Sequence, residues 1–329
     1  MTHLGKARTA LKRGSLLAAA NWQVVAVQTV AETTFKILLG VPIVGGALLV
    51  TLLLGKDVSE IFSTDLREAL FGVASALAAH PVALAAYLTG FSIALAGGSA
   101  LMFLVKGGTI SVLARADLYA GSIERPPLRV AAFRRGMQFS IEEFLQGAGR
   151  LFRRYLALGV LLTIVYVVVA AVSLLCAYGL YRLGGERPLL LGSVAALALT
   201  LFVALMTVVN VLYLLTQMVV AVRDARVSAA MGEVGRFLNG EFWKVTRVFF
   251  VTVLLLILAT VLSIAATWGF YLIAYVPIAG VIVLPLQLGA WLLRALVFQY
   301  LGLTALCAYL SLYRAFAGET RAAAVPATR

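Results

Sequence analysis

Reactive chemistry needs several titratable side chains gathered at one place, and this sequence offers few of them. It contains two histidines, His3 and His80, and two cysteines, Cys176 and Cys307. Neither histidine has a second histidine or a pair of carboxylates at the spacing a metal site requires, and His80 stands before Pro81 as the start of a helix. The chain has no GxxxxGK[ST] loop, no HExxH, no GxSxG and no CxxC. Glu142 and Glu143 are adjacent, so on a helix they point about 100° apart and suit pairing with nearby arginines better than joint acid and base work. The cysteines fall near opposite ends of their apolar runs and read as small buried hydrophobes. No catalytic residue, metal or cofactor is expected, and the chain is read as non-enzymatic.

Polar residues inside long apolar runs are the better pointers, because exposing them to hydrocarbon is costly. Asn210 and Gln217 lie two helical turns apart on one face, and Arg294 and Gln299 occupy a second run, with Gln287 before them. Together they outline a candidate polar groove between spans four and six, which would suit a transporter, permease or lipid-moving protein. Interhelical hydrogen bonds and a snorkelling arginine account for the same residues structurally. The spans carry no carboxylate well inside them, which counts against proton coupling.

Positive charge is the other resource. Residues 106–154 hold nine of the 27 Lys and Arg. From Leu128 onward, Phe133, Met137, Ile141, Phe144, Ala148, Leu151 and Tyr155 recur every three or four positions, which predicts one amphipathic helix with a cationic opposite face. Such a helix, feeding directly into an apolar run, is expected to lie in the headgroup plane as an elbow, with Arg134, Arg135, Arg150, Arg153 and Arg154 as candidate headgroup contacts. Residues 4–31, with Leu4, Leu11, Ala18 and Val25 on one face, and residues 223–244, with Val227, Met231, Val234, Leu238 and Phe242 on one face, repeat the design. The expected partners are membrane lipids, preferably anionic, joined by a protein partner or a second copy of the chain. Nucleic acid is not expected, since no nucleic-acid module accompanies the net charge of +13.

The elements that must position these groups follow from composition. With 62% hydrophobic and 12% charged residues and a mean hydropathy of +1.01, the chain is an all-α polytopic membrane helical bundle. Six spans are expected, at about 34–54, 81–105, 155–181, 189–222, 245–271 and 293–313, with 275–290 as an outer or re-entrant connection. An unbroken span from Val281 is the competing reading. Residues 1–316 read as a single integral membrane domain and 317–329 as a flexible cytoplasmic tail. The basic amino end reads as retained rather than as a cleaved signal, because Asn21, Gln23, Gln28, Glu32 and Lys36 interrupt any apolar core. Lys and Arg concentrate in the segments that alternate onto one side, which places both termini in the cytoplasm and the protein in the cytoplasmic (inner) membrane. An elbow before each odd-numbered span suggests three elbow-plus-hairpin units.

Gly107-Gly108-Thr109, then Asp117, Gly121, Phe133 and Gly136 ahead of a basic elbow, and the ending Leu303-Thr304 to Ser311-Leu312-Tyr313-Arg314, give the chain a familiar outline. Over roughly residues 1–316 it resembles the six-helix membrane domain of the glycerophosphoryl diester phosphodiesterase membrane-domain superfamily and related bacterial integral membrane proteins. The resemblance implies a helical membrane bundle and no activity, since the soluble phosphodiesterase barrel and its metal-binding carboxylates have no counterpart here.

Overall fold

The computed structural model describes residues 3–54, 75, 79–125, 130–184, 188–274 and 277–324. Its elements are α1 (His3–Ala20), α2 (Trp22–Leu54), α3 (Pro81–Tyr119), α4 (Val130–Gly136), α5 (Ile141–Gly184), α6 (Pro188–Arg223), α7 (Val227–Ala274) and α8 (Pro277–Ala324). No strand occurs among the described residues. Six helices are long and apolar enough to cross a bilayer, over Trp22–Gly46, Pro81–Tyr119, Ile141–Gly179, Gly192–Arg223, Val227–Gly269 and Pro285–Gly318. The fold is the all-α membrane bundle that hydropathy predicts, and the chain is a multi-pass integral membrane protein.

Two compact units divide the chain. One comprises Val27–Val105, the other Met1–Ala26 with Lys106–Arg329. In the smaller unit Gly46 and Gly98 make room for aromatic rings, since a Cβ on Gly46 would meet the Tyr87 ring and one on Gly98 the Phe35 ring. Small residues let transmembrane helices approach closely where no water drives them together.

The larger unit is packed at one end. Leu17, Leu113, Leu151, Tyr155, Leu215, Met218, Phe237, Leu310 and Tyr313 are fully buried there. The opposite stretches of the spans present Ile164, Val168, Leu197, Leu201, Leu254 and Ile257 outward. In water such a surface would be an aggregation hazard; in hydrocarbon it is the expected exterior.

Three glycine contacts set the packed end. A Cβ on Gly14 would collide with the Thr304 carbonyl oxygen, so α1 lies backbone to backbone on α8, its most extensive neighbour. The Tyr300 hydroxyl donates to the Ser15 carbonyl at 3.0 Å across the same seam. At the crossing of α3 and α5, a Cβ on Gly108 would come within 2.7 Å of the Phe144 carbonyl oxygen, and one on Gly147 would overlap the Ser111 side chain. The Gly107-Gly108 pair is therefore a helix-crossing device.

Several expectations are corrected. The amphipathic helix predicted from Leu128 is broken. α4 ends at Gly136, and α5 starts at Ile141 behind Ser140, whose Oγ accepts from the Glu143 amide at 3.2 Å. This Ser-x-x-Glu N-terminal cap interrupts the apolar stripe, so Met137 and Ile141 are exposed while Ala148, Leu151 and Tyr155 are buried. The third elbow buries Ala230, Val234 and Phe237 and exposes Met231 and Phe242, a rotation from the expected face. It joins span five in one helix, α7, with a kink at Glu241 (φ −126°, ψ 23°). Residues 277–290 are not a re-entrant connection, because α8 is a single helix of 48 residues that passes through Pro285. Cys307 is buried as expected, whereas Cys176 is exposed. The tail from 325 onward lies outside the described residues, as does most of the connection at 55–78.

Candidate functional site

A charged cluster forms where α1, α3 and α8 meet at the packed end. Asp117, near the C-terminal end of α3, keeps only 3% of its side-chain surface exposed and is held by two arginines. Arg13 Nε donates to Asp117 Oδ1 at 2.6 Å, and Arg314 Nη1 donates to Oδ2 at 2.8 Å. Further guanidinium hydrogens are used as well. Arg13 reaches Glu124 Oε2 at 2.9 Å, the Asp117 carbonyl at 2.7 Å and the Gly121 carbonyl, while Arg314 Nη2 reaches the Ala114 carbonyl at 2.7 Å. Gly121 has φ +62°, a left-handed conformation that glycine adopts without a Cβ clash, and this turn aims its carbonyl at Arg13. Burial is the largest single influence on Arg13 and lowers its pKa. The Asp117 and Glu124 carboxylates more than offset it, so the net displacement is upward and the guanidinium stays charged.

Two cavities flank the cluster. One of about 760 Å³ is lined by Arg13, Asp117, Glu124, Arg125, Glu241, Lys244 and Arg314 among others. The other, about 350 Å³, is lined by Arg115, Glu143, Arg150 and Arg314 with small and apolar neighbours. Arg115 pairs with Glu143 across the α3–α5 crossing, and Lys244 with Glu241 at 2.5 Å beside the α7 kink. Both cavities have the size of small-ligand or headgroup sites. Among the described residues, no group of three or more His, Cys, Asp and Glu is placed to hold a metal ion.

Neighbouring links lock the helix ends. Asn21 is fully buried in the turn between α1 and α2. Its Nδ2 donates to the carbonyls of Leu17 (3.0 Å) and Gly136 (2.8 Å), and its Oδ1 accepts from the Gln138 amide at 3.0 Å. Arg154 grips Asp224, which closes α6 in a left-handed conformation (φ +52°), at 2.6 Å. Arg223 pairs with Glu233 at 2.7 Å and donates to the Tyr313 hydroxyl at 3.0 Å.

The residues proposed from sequence are placed as follows. Arg134, Arg135 and Arg153 are exposed and make no ion pair among the described residues, whereas Arg154 is committed to Asp224 and Arg150 stands 3.5 Å from the Ser111 hydroxyl. Asn210 serves α5, accepting from the Tyr166 hydroxyl at 2.5 Å while its Nδ2 donates to Met206. Gln217 is 1% exposed, with Nε2 buried and unbonded, and its backbone carbonyl accepts from Tyr155 at 2.9 Å. Arg294 stacks over Phe298 at 5.7 Å in a groove between α7 and α8 that also includes Gln287. Gln299 is half-buried. Asn210 and Arg294 thus serve different helix pairs.

The Arg13–Asp117–Arg314 cluster was not among those proposals. Its signal is Asp117, a lone carboxylate at the end of an apolar run in strongly basic surroundings, where it calls for cationic partners. Arg13 and Arg314 look from sequence like orientation charges only. No protein family, curated protein or solved structure matches the chain. What fold and site define is a class, a six-span integral membrane protein with an ion-paired, cavity-flanked basic end.

Proposed function

We propose that this is a non-enzymatic protein of the cytoplasmic membrane that grips anionic lipid headgroups with its basic end, both termini lying in the cytoplasm. The observation that carries this reading is the division of labour among the arginines. Arg13, Arg115, Arg154, Arg223 and Arg314 hold helices together through carboxylates, which leaves Arg134, Arg135 and Arg153 exposed without such partners among the described residues. Each basic residue near an anionic surface contributes about 1 kcal/mol, so three together give a retention of lipid that salt weakens. The two cavities beside Arg314 offer room for headgroups or for a segment of a protein partner. A stand-alone relationship to the six-helix phosphodiesterase-associated membrane domain fits the same reading, with Asp117 and Arg314 of that pattern bonded to each other and Gly107-Gly108 at a helix crossing.

The test is charge reversal of the unpaired set, Arg134→Glu, Arg135→Glu and Arg153→Glu, in protein purified in mild detergent. Co-purifying anionic phospholipid is expected to fall severalfold with helix content unchanged. Retention equal to wild type would reject the headgroup role. Arg154 is left intact, because its loss would free Asp224 and confound binding with folding.

A further inference from the structure

The groove between α7 and α8 lies away from the charged cluster. It measures about 500 Å³ and is walled by Leu262, Ala266, Leu293 and Val297, with Gln287 and Arg294 as its strongly polar groups. The groove begins at Ala259, 12 residues beyond Arg247, hence roughly 18 Å along α7 from the last basic residue of the packed end. Trp268 follows at roughly 31 Å, about one hydrocarbon thickness, and suits the opposite interface. The groove therefore sits in the leaflet remote from the basic cluster.

Arg294 is the anomaly there. It is exposed, its described contact is the Phe298 ring, and no described carboxylate pairs with it. From Phe242 to Gly318 the sequence has no Asp or Glu, so the stretches of α7 and α8 that wall the groove carry no carboxylate. A lone cation at this depth is costly unless an anion or water reaches it. The Cα–Cβ bonds of a helix tilt toward its N-terminus, which in α8 is the far end, so the long Arg294 side chain has the reach to meet the remote headgroups.

We propose that this groove holds one anionic phospholipid of the remote leaflet, its phosphate on the Arg294 guanidinium and an acyl chain along Leu262, Ala266 and Val297. Charge complementarity selects the occupant. The guanidinium fork matches phosphate oxygens in a bidentate way, and the apolar walls match a chain. This site is separate from the headgroup contacts proposed for Arg134, Arg135 and Arg153.

The experiment uses the full chain in mild detergent with added phosphatidylglycerol or phosphatidylcholine, and counts retained lipids by native mass spectrometry. Arg294→Gln is expected to lower phosphatidylglycerol retention at least about fivefold, the scale of losing a charge-assisted hydrogen bond, and to change phosphatidylcholine little. Arg294→Lys, which keeps the charge but not the fork, should restore part of it, and Ala266→Trp, which fills the groove without touching the charge, should lower it as well. Wild-type retention in Arg294→Gln, or a Lys variant as deficient as Gln, would overturn the proposal. So would a dimer that Ala266→Trp abolishes with lipid counts unchanged, since a second copy would then occupy the groove. Because the reversal of Arg134, Arg135 and Arg153 leaves Arg294 untouched, either lipid reading can fail alone.

Discussion

Asp117 is the residue on which the packed end depends most. Two partly buried guanidinium groups converge on its carboxylate, and removing one partner of a buried pair leaves the others desolvated without compensation, a loss of about 3–5 kcal/mol. Asp117→Asn is therefore expected to lower the thermal midpoint in detergent by many degrees, while Arg134→Ala stays within about 0.5 kcal/mol of wild type. Gln217 presents the opposite case. Its Nε2 is buried without a partner, and an apolar replacement of such a group is neutral or stabilising by about 1 kcal/mol. Gln217→Leu should melt at or above the wild-type temperature, and a clear drop would reveal a partner for the amide. Sequence marks both Asn210 and Gln217 as polar groups in an apolar run, yet it hides the Tyr166 hydroxyl that Asn210 accepts from, because a mid-span tyrosine reads as one more aromatic.

Helix existence was legible from hydropathy, and helix breaks less so. The stop at Gly136 and restart at Ile141 are encoded in Ser140 and Glu143, but that cap lies inside a stripe whose apolar period appears unbroken. The continuity of α8 runs against local propensity. A proline ordinarily costs a helix about 3 kcal/mol, but in a spanning helix the alternative is unpaired backbone in hydrocarbon, so the helix continues through Pro285. Close contacts between helices were visible only as glycines, without an indication of which mattered. The structure separates them. Gly14→Ala should cost about 1–3 kcal/mol by pushing α1 off the Thr304 backbone. Gly149→Ala meets nothing within 4 Å and should gain up to about 1 kcal/mol from helix propensity. Parallel melts of the two variants check the assignment, and equal effects would contradict it.

At the scale of the molecule, the proposed orientation rests on the count of Lys and Arg by segment. A membrane-impermeant maleimide should label Arg153→Cys only from the cytoplasmic side and Arg182→Cys only from the opposite side, in a background with both native cysteines removed. Labelling of both from one side would invert the topology. Span number and the basic bias could be read from sequence because each is a sum over many residues. The placement of the buried core could not, since Leu17, Leu151 and Leu310 are locally indistinguishable from the lipid-facing Leu197 and Leu254.

The seam between α1 and α8 joins segments far apart in the chain, for Ser15 and Tyr300 are separated by 285 positions. During synthesis, α1 leaves the ribosome long before the helix it rests on exists. The large loop closed by that contact makes assembly of this end a late and slow event. Until then the side of α1 at Gly14 and Ser15 lacks the helix it rests on, and a nascent chain stalled before α8 would present that strip to chaperones and proteases as the mark of an unfinished product.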